Sequence, residues 1–374
     1  MKFYENKQIA EIAMLVGLDL RTPGERAFDA EASLDELEEL AKSAGAEVFC
    51  RVLQKRDRPD PATFVGSGML AEIKDACEKN GIDLLIFDNE LSPSQTRNIE
   101  KFTGVRVIDR TTLILDIFAL RARTSEGRLQ VEIAQLKYSL SRLTGKGVEL
   151  SRLGAGAGTK SVGIGTRGPG ESKLETDRRH IRRRIQSLSE ELKLVQKRRD
   201  LHRRRRVKDG VTVVAIVGYT NTGKSTLLNT LTKAGVLAED KLFATLDPTA
   251  RALRLPDGKK IMLVDTVGFI SRLPHTLVEA FKSTLEEAAY ADLILNIADA
   301  SSPALFEQIR VTKEILAELG AAEKPVIDVY NKCDIAEESF LLTEDAASVK
   351  ISALKGEGIE NLLQKISQTL KGLN

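Results

Sequence analysis

One short stretch constrains this chain more than any other: an apolar run followed by a glycine-rich loop. Val211 to Val217 is rich in β-branched residues, which predicts a buried strand. The next residues, Gly218 to Ser225, read G-x-x-x-x-G-K-S, and the leucines beyond them predict a helix. In that setting backbone N–H groups and the helix N-terminus surround phosphate oxygens. We therefore expect Lys224 to reach the β- and γ-phosphates and Ser225 to offer its hydroxyl to Mg²⁺.

Two further motifs indicate the metal and γ-phosphate ligands. F-A-T-L-D-P-T supplies Thr245, whose hydroxyl and carbonyl can clasp Mg²⁺ and the γ-phosphate, with Thr249 as the competing candidate. D-T-V-G-F follows a predicted strand. Its Asp265 can hold Mg²⁺ through water, and the Gly268 N–H can sense the γ-phosphate. Both motifs lie where the carboxyl ends of parallel strands place their loops.

The base is indicated by N-K-C-D, which follows the predicted strand Val326 to Tyr330. Asp334 can accept both N1–H and N2–H of guanine, whereas adenine presents the wrong pattern. Lys332 can cover the base, Asn331 can tie this loop to the phosphate loop, and the backbone of S-A-L can meet guanine O6. The expected GTP-binding residues are Gly218, Tyr219, Thr220, Asn221, Thr222, Gly223, Lys224, Ser225, Thr226, Phe243, Ala244, Thr245, Leu246, Asp247, Asp265, Thr266, Val267, Gly268, Asn331, Lys332, Cys333, Asp334, Ser352, Ala353 and Leu354.

Two positions bear on the rate of hydrolysis. Many GTPases place a Gln directly after D-x-x-G to orient the attacking water, but this chain has Phe269 there. We therefore expect slow unaided hydrolysis, and Phe269 packed into the core would leave the same gap. Asn221 within the phosphate loop is either a ligand for K⁺ or an ordinary loop amide.

Charge is strongly segregated along the 374 residues, although the net charge is only +2. Residues 121–210 hold 24 Lys and Arg against 10 Asp and Glu, a net of +14 that leaves −12 for the rest. This basic middle favours a polyanionic partner. The three cysteines share no metal or disulfide spacing, and neither a signal peptide nor a membrane span is predicted. These features predict a cytoplasmic protein.

The first 110 residues alternate predicted strands and helices, which is typical of a small α/β domain with a mainly parallel sheet. Ser33 and Glu36 have the spacing of a capping box and predict the start of the first helix. Phe64 to Gly68, F-V-G-S-G, is a glycine-bearing loop ahead of a helix that either holds a phosphate or only turns the chain. No complete nucleotide motif occurs in this domain.

The basic middle has the pattern of an antiparallel helical hairpin. Two apolar seams with spacings of 4, 3, 4 and 3 run from Leu129 to Leu143 and from Ile181 to Val195. Nine glycines fall between Gly145 and Gly170. The predicted fold class is therefore α/β, with an N-terminal α/β domain (1–120), a coiled-coil hairpin (121–209) with a Gly-rich tip loop (145–170), and a C-terminal P-loop GTPase domain with a mostly parallel sheet (210–374).

The arginines of the second helix are one-sided in charge, whereas a self-pairing coil would mix the signs. We therefore favour RNA over dimerisation as the role of the hairpin, and expect a monomer. The RNA-binding candidates are Arg152, Lys160, Arg167, Lys173, Arg178 and Arg179.

The chain resembles the HflX-type GTPases of the Obg–HflX group. The resemblance rests on G-Y-T-N-T-G-K-S-T-L-L-N, F-A-T-L-D-P-T and D-T-V-G-F-I, and equally on I-G-T-R-G-P-G-E-S-K-L-E-T-D-R-R from Ile164 to Arg179. It implies a GTPase that binds the large ribosomal subunit and its 23S rRNA, and that splits or rescues stalled or idle ribosomes. The chain departs from some members in stopping soon after the last predicted helix of the GTPase domain, so we expect their small C-terminal domain to be absent.

The sequence thus predicts an enzyme that hydrolyses GTP to GDP and phosphate with Mg²⁺, and K⁺ as an open question. Two alternatives remain: a protein that remodels rRNA with ATP bound by the N-terminal domain, and a GTPase of ribosome assembly.

Overall fold

A computed structural model describes residues 10–20, 30–154, 169–232, 242–243, 246–272, 287–336 and 347–373. The chain forms two compact units. Unit 1 is Met1–Leu120 with Glu132–Ser189, and unit 2 is Arg121–Val131 with Glu190–Asn374. In the described parts of the chain, no helix is long and apolar enough to cross a membrane.

Unit 1 contains a four-stranded parallel sheet in the order β2-β1-β3-β4. Its central strands are buried along most of their length, as expected where helices cover both faces of a parallel sheet. The elements are β1 (Ile12–Leu20), α1 (Ala30–Ala44), β2 (Glu47–Arg56), α2 (Ser67–Asn80), β3 (Leu84–Phe87), α3 (Pro93–Thr103), β4 (Arg106–Asp109) and α4 (Arg110–Arg121).

The predicted capping box at Ser33 and Glu36 is wrong. Helix α1 begins at Ala30, so Ser33 lies inside the helix, where its hydroxyl donates to Asp88 at 2.6 Å. A capping box is instead present at the start of α3. There the Ser92 side chain accepts from the Gln95 N–H, and the Gln95 side chain accepts from the Ser92 N–H.

Two long helices, α5 (Ser125–Gly154) and α6 (Pro169–Lys208), form the middle of the chain. Within unit 1 they run antiparallel, because Arg178 donates to the Leu143 carbonyl at 3.0 Å and Arg184 contacts Glu132 at 2.8 Å. Ile133 and Leu188 of the predicted seams are buried. Helix α5 extends nine residues past Gly145, the predicted start of the loop.

Unit 2 contains a six-stranded sheet in the order β10-β9-β8-β5-β7-β6, parallel except for β6. Strand β5 lies between β8 and β7, which places its carboxyl end where the strand order reverses and open α/β sheets bind ligands. The fold class predicted from the sequence is confirmed. The elements are β5 (Thr212–Gly218), α7 (Lys224–Thr232), β6 (Thr249–Arg254), β7 (Lys260–Asp265), β8 (Leu293–Asp299), α8 (Leu305–Glu318), β9 (Val326–Asn331), β10 (Ser348–Lys350) and α9 (Ile359–Gly372).

Candidate functional site

The loop between β5 and α7 has the strand–loop–helix setting that the sequence predicts. Gly218 ends β5 with φ +144°, and a Cβ there would overlap the carbonyl oxygen of Ile297. Gly223 has φ +89°, and a Cβ there would overlap the amide nitrogen of Asn331. Both positions therefore require glycine, for the backbone conformation and for the close approach of neighbouring chain. Lys224 is the first residue of α7.

Lys224 is buried beside this loop and donates from Nζ to the Tyr219 carbonyl at 2.5 Å. Burial lowers the pKa of Lys224 to about 8, although the nearby Asp265 carboxylate acts in the opposite direction. A buried ammonium against a neutral carbonyl is poorly compensated. An anion that replaces the carbonyl would stabilise the charged form, which suits a phosphate.

Ser225 and Asp265 lie together at the end of β7. The Ser225 hydroxyl donates to Asp265 Oδ2 at 2.7 Å, and Asp265 is fully buried. A hydroxyl and a carboxylate are hard oxygen ligands of the kind that Mg²⁺ prefers, so this donor set fits that ion. Of the two threonine candidates, Thr249 begins β6 opposite Asp265 in the sheet. Thr245 lies outside the described residues, as does Ala244.

The segment after Asp265 is bound to the phosphate loop through its backbone. The Thr220 N–H donates to the Phe269 carbonyl at 2.7 Å, and the Phe269 N–H donates to the Gly218 carbonyl at 3.1 Å. The Phe269 ring is 1% exposed and belongs to the core. An apolar ring in the core cannot orient water, so the residue after D-T-V-G contributes through its backbone.

Asn331 joins three loops at the carboxyl edge of the sheet. Its Nδ2 donates to the Thr222 carbonyl at 2.7 Å, and its Oδ1 accepts from the Ala353 N–H at 2.9 Å. The phosphate loop, N-K-C-D and S-A-L are therefore held together by one buried amide. Displacement of one of these loops therefore strains the hydrogen bonds that hold the other two.

The two charged residues of N-K-C-D are also held in place. Lys332 contacts Asp299 at 2.7 Å, an ion pair that the sequence motifs do not indicate. A hydrogen bond from the Ser352 hydroxyl and the charge of Lys355 lower the pKa of Asp334 below its ordinary value. Asp334 is therefore ionised at neutral pH and presents a hydrogen-bond acceptor, as recognition of a guanine edge requires.

The remaining predicted nucleotide residues are distributed around this edge. Phe243, Leu246, Thr266 and Val267 are buried, Asn221 and Leu354 are exposed, and Cys333 donates from Sγ to the Tyr330 carbonyl at 3.2 Å. Asn221 has φ +59°, a left-handed conformation that asparagine tolerates better than most residues.

Asp247 has a contact that no motif predicts. Its carboxylate accepts the backbone N–H groups of Arg123 and Thr124, each at 2.9 Å, and the Thr124 hydroxyl. Thr124 directly precedes α5 and is its N-cap, since its hydroxyl oxygen accepts from the Gly127 N–H at 3.0 Å. Asp247 therefore holds this N-cap residue in place from a distant part of the sequence. Sequence reasoning assigned Asp247 only to the nucleotide.

The arginines of α6 are less one-sided than the sequence indicates. Glu287 is buried in unit 2 and lies within 4.0 Å of Arg199, Arg203 and Arg206. Arg199 also contacts Glu126 at 3.0 Å. Part of the basic excess is therefore neutralised by carboxylates of unit 2, which corrects the expectation that the arginines of this helix are one-sided in charge.

Two of the six RNA-binding candidates, Arg178 and Arg179, have side chains that the structure describes. Arg179 is exposed, whereas Arg178 is half-buried with its guanidinium on the Leu143 carbonyl and 3.9 Å from Glu175. The side chains of the other four, Arg152, Lys160, Arg167 and Lys173, lie outside the described residues.

A glycine-bounded phosphate cradle, a hydrogen-bonded Ser–Asp pair and an N-K-C-D loop lie together at the carboxyl ends of parallel strands. These features define a P-loop GTPase. Three family models match the chain in succession: "GTP-binding GTPase N-terminal" over 31–119, "GTP-binding GTPase Middle Region" over 121–206 and "50S ribosome-binding GTPase" over 213–332. The chain is 54% identical over 340 residues to GTPase HflX of Caldanaerobacter subterraneus subsp. tengcongensis, covering 91% of this chain and 77% of that one. The chain belongs to the HflX family of GTPases.

Two further similarities agree with this assignment. GTPase HflX of Escherichia coli is 45% identical over 344 residues, which cover 91% of this chain and 79% of the relative. The crystal structure of a complex of SsGBP with GDP is similar with a TM-score of 0.52 and 27% identity, covering 97% and 99% of the two chains. Binding of GTP and GDP and hydrolysis of GTP follow from the family and from the GTPase domain.

Proposed function

We propose that this GTPase binds the large ribosomal subunit through its helical hairpin and uses GTP hydrolysis to time its release, splitting or rescuing stalled or idle ribosomes. One observation carries the proposal: a guanine-nucleotide edge and a basic helix, α6, belong to one chain whose GTPase domain matches a family described as ribosome-binding. In this proposal the protein acts in the cytoplasm as a monomer.

At the phosphates, we assign Lys224 to the β- and γ-phosphoryl oxygens and Ser225 and Asp265 to Mg²⁺, with Asp265 acting through water. Thr245 and Thr249 are the two candidates for the threonine that binds Mg²⁺ and the γ-phosphate. When bound, Mg²⁺ neutralises charge on the phosphates. The buried Lys224 ammonium then exchanges a carbonyl for a charged oxygen, which makes the cradle more favourable to a triphosphate than to water.

At the base, we assign Asp334 to the N1–H and N2–H groups of guanine and Lys332 to the face of the ring. Ser352 and Lys355 keep Asp334 ionised, and Asp299 holds Lys332 at 2.7 Å. The carboxylate discriminates against adenine because adenine offers no pair of donors on that edge.

The buried ring of Phe269 supports a requirement for activation by the partner. A GTPase whose own chain places no polar side chain after D-T-V-G depends on another source to orient water. We expect 50S particles to accelerate GTP turnover on the order of 10²-fold or more. The test is GTP turnover with and without 50S particles, and equal rates would contradict the proposal.

The same turnover measurement in potassium and then in sodium addresses Asn221. Faster turnover in potassium would make Asn221 a cation ligand in the nucleotide-bound state. Equal rates would leave it an ordinary loop amide whose left-handed backbone shapes the cradle.

The role of the helical hairpin is tested by the salt dependence of 50S binding. Each phosphate contact contributes about one unit to the slope of log K against log salt concentration. Arg179→Ala should therefore reduce the slope by about one. Arg178→Ala is the matched control and should change it little, because Arg178 already contacts Leu143 and Glu175. Binding that does not change with salt concentration would contradict an RNA-binding role of the hairpin. A dimer detected by light scattering would favour a self-pairing coil.

A further inference from the structure

We infer that Thr220 determines the preference for GTP over GDP, by donating a hydrogen bond from its hydroxyl to the γ-phosphate. This inference rests on the proposed nucleotide site. It gives the Thr220 side chain a specific role within the set of expected GTP-binding residues. The position is the second residue after Gly218 in the phosphate loop.

The Thr220 hydroxyl is buried without a partner. The residue is 6% exposed, and its Oγ1 has no hydrogen-bond partner in the described structure. Buried polar side chains are nearly always satisfied, so an exception marks strain or a ligand that completes the site. The backbone of Thr220 is satisfied, since its N–H donates to the Phe269 carbonyl at 2.7 Å. The unsatisfied group is therefore the side chain.

The side chain lies beside two groups that we assign to the γ-phosphate, Gly268 and Lys224. A Cβ built on Gly268 would be 2.9 Å from the Thr220 Cγ2 methyl and 2.8 Å from Lys224 Nζ. The Thr220 hydroxyl shares its carbon with that methyl. Thr220, Gly268 and the Lys224 ammonium thus converge on one small space, and the last two are the groups assigned to the γ-phosphate. A phosphoryl oxygen bound to Lys224 comes within reach of a threonine hydroxyl there.

The consequence distinguishes the two nucleotides. GDP lacks the oxygens at this place, so with GDP the hydroxyl stays without a partner. GTP supplies a charged acceptor, and hydrogen bonds to charged acceptors are among the stronger ones. Phe269, whose buried ring borders the same segment, offers no competing polar side chain. Thr220 therefore adds affinity for the triphosphate alone.

The experiment compares Thr220→Val, which keeps the shape and removes the hydroxyl, with Thr220→Ser, which keeps the hydroxyl. Affinities for a non-hydrolysable GTP analogue and for GDP are measured by calorimetry with Mg²⁺ present. We expect Thr220→Val to bind the analogue about 10-fold more weakly, equal to about 1.4 kcal/mol, with GDP affinity unchanged within about twofold. Thr220→Ser should remain within about threefold of the unsubstituted protein for both ligands.

A second readout does not involve nucleotide. Removing a buried hydroxyl that lacks a partner should leave the melting temperature of nucleotide-free Thr220→Val equal to that of the unsubstituted protein, or raise it. A lower melting temperature would show that the hydroxyl stabilises the empty protein, and would overturn the inference. Equal weakening of both nucleotides, or of neither, would overturn it too. Failure of the nucleotide site itself would look different, because the unsubstituted chain would then bind neither ligand.

Discussion

The carboxyl ends of the parallel strands in the two sheets carry similar residues but differ in how their charges are satisfied. In unit 1, Arg110 contacts Asp88 at 2.8 Å and also Glu36. In unit 2, Lys224 is equally buried, yet it donates to the Tyr219 carbonyl rather than to a carboxylate. The first edge is neutralised by its own chain, whereas the second retains a cation that favours an anionic ligand.

The acidic residues show the same difference. Asp109 in unit 1 is fully buried and accepts from Tyr138, from Arg142 at 3.0 Å and from Thr112 at 2.7 Å. Asp265 in unit 2 accepts from Ser225, a hydroxyl that can turn toward a metal ion. A parallel sheet edge with charged residues is therefore not in itself a ligand site. An edge whose charged residues are all paired within the chain is structural. An edge that keeps a charged residue without an opposite charge can bind a ligand.

The substitution Lys224→Ala tests this difference between the two edges with the largest expected effect. The variant should bind GTP on the order of 10³-fold more weakly, about 4 kcal/mol, because the phosphates lose a buried cation. Its melting temperature without nucleotide should not fall, since a poorly compensated buried charge is removed. Lys313→Ala, at an exposed lysine of the same unit, is the control and should bind GTP normally. Normal affinity in Lys224→Ala would refute the phosphate assignment.

Arg110→Met should have the opposite pattern. Loss of the cation leaves Asp88 and Glu36 buried without it, so the free energy of unfolding should fall by about 3 kcal/mol, measured by urea denaturation. GTP affinity should be unchanged. Arg106→Met, which removes an exposed pair with Glu11, should cost less than about 1 kcal/mol. A large loss of GTP affinity with intact stability would mean that the unit 1 edge serves the nucleotide.

Asp334→Asn should weaken GTP binding about 10- to 100-fold, because an amide can accept only one of the two guanine N–H groups. Binding of xanthosine triphosphate should improve, since its 2-oxo group can accept from the new amide. The lowered pKa of Asp334 sets the pH range. Its contribution should be constant at neutral pH and disappear only as the pH falls below the ordinary aspartate pKa. Unchanged nucleotide preference would remove Asp334 from the base site.

The smallest expected effect concerns ATP. If the unit 1 edge is closed by its own ion pairs, full-length Lys224→Ala should show no ATP turnover above background. Hydrolysis of ATP by that variant would contradict the comparison and support the alternative of an ATP-dependent N-terminal domain. The unsubstituted protein assayed with GTP and 50S particles confirms that the preparation is active.

Local sequence was sufficient for the fold class and for the nucleotide loops, because each loop is a short motif after a buried strand. Local sequence failed where partners are distant. Ser33 and Glu36 match a capping box, but Ser33 donates instead to Asp88, 55 residues away. The cluster around Glu287 brings α6 arginines to a carboxylate more than 80 residues further along the chain. Spacing along the sequence cannot show such pairs, since they depend on packing.

The cap on α5 has a mechanical consequence. The N-cap of α5 is the neighbouring Thr124, whose hydroxyl oxygen accepts from the Gly127 N–H at 3.0 Å. Thr124 is in turn held by Asp247, which lies two positions beyond Thr245, in a stretch expected to respond to the nucleotide. Displacement of that stretch would release the N-cap residue of a 30-residue helix and so weaken a cap worth about 1 kcal/mol. The placement of the residue that caps α5 thus depends on the position of a loop more than a hundred residues away.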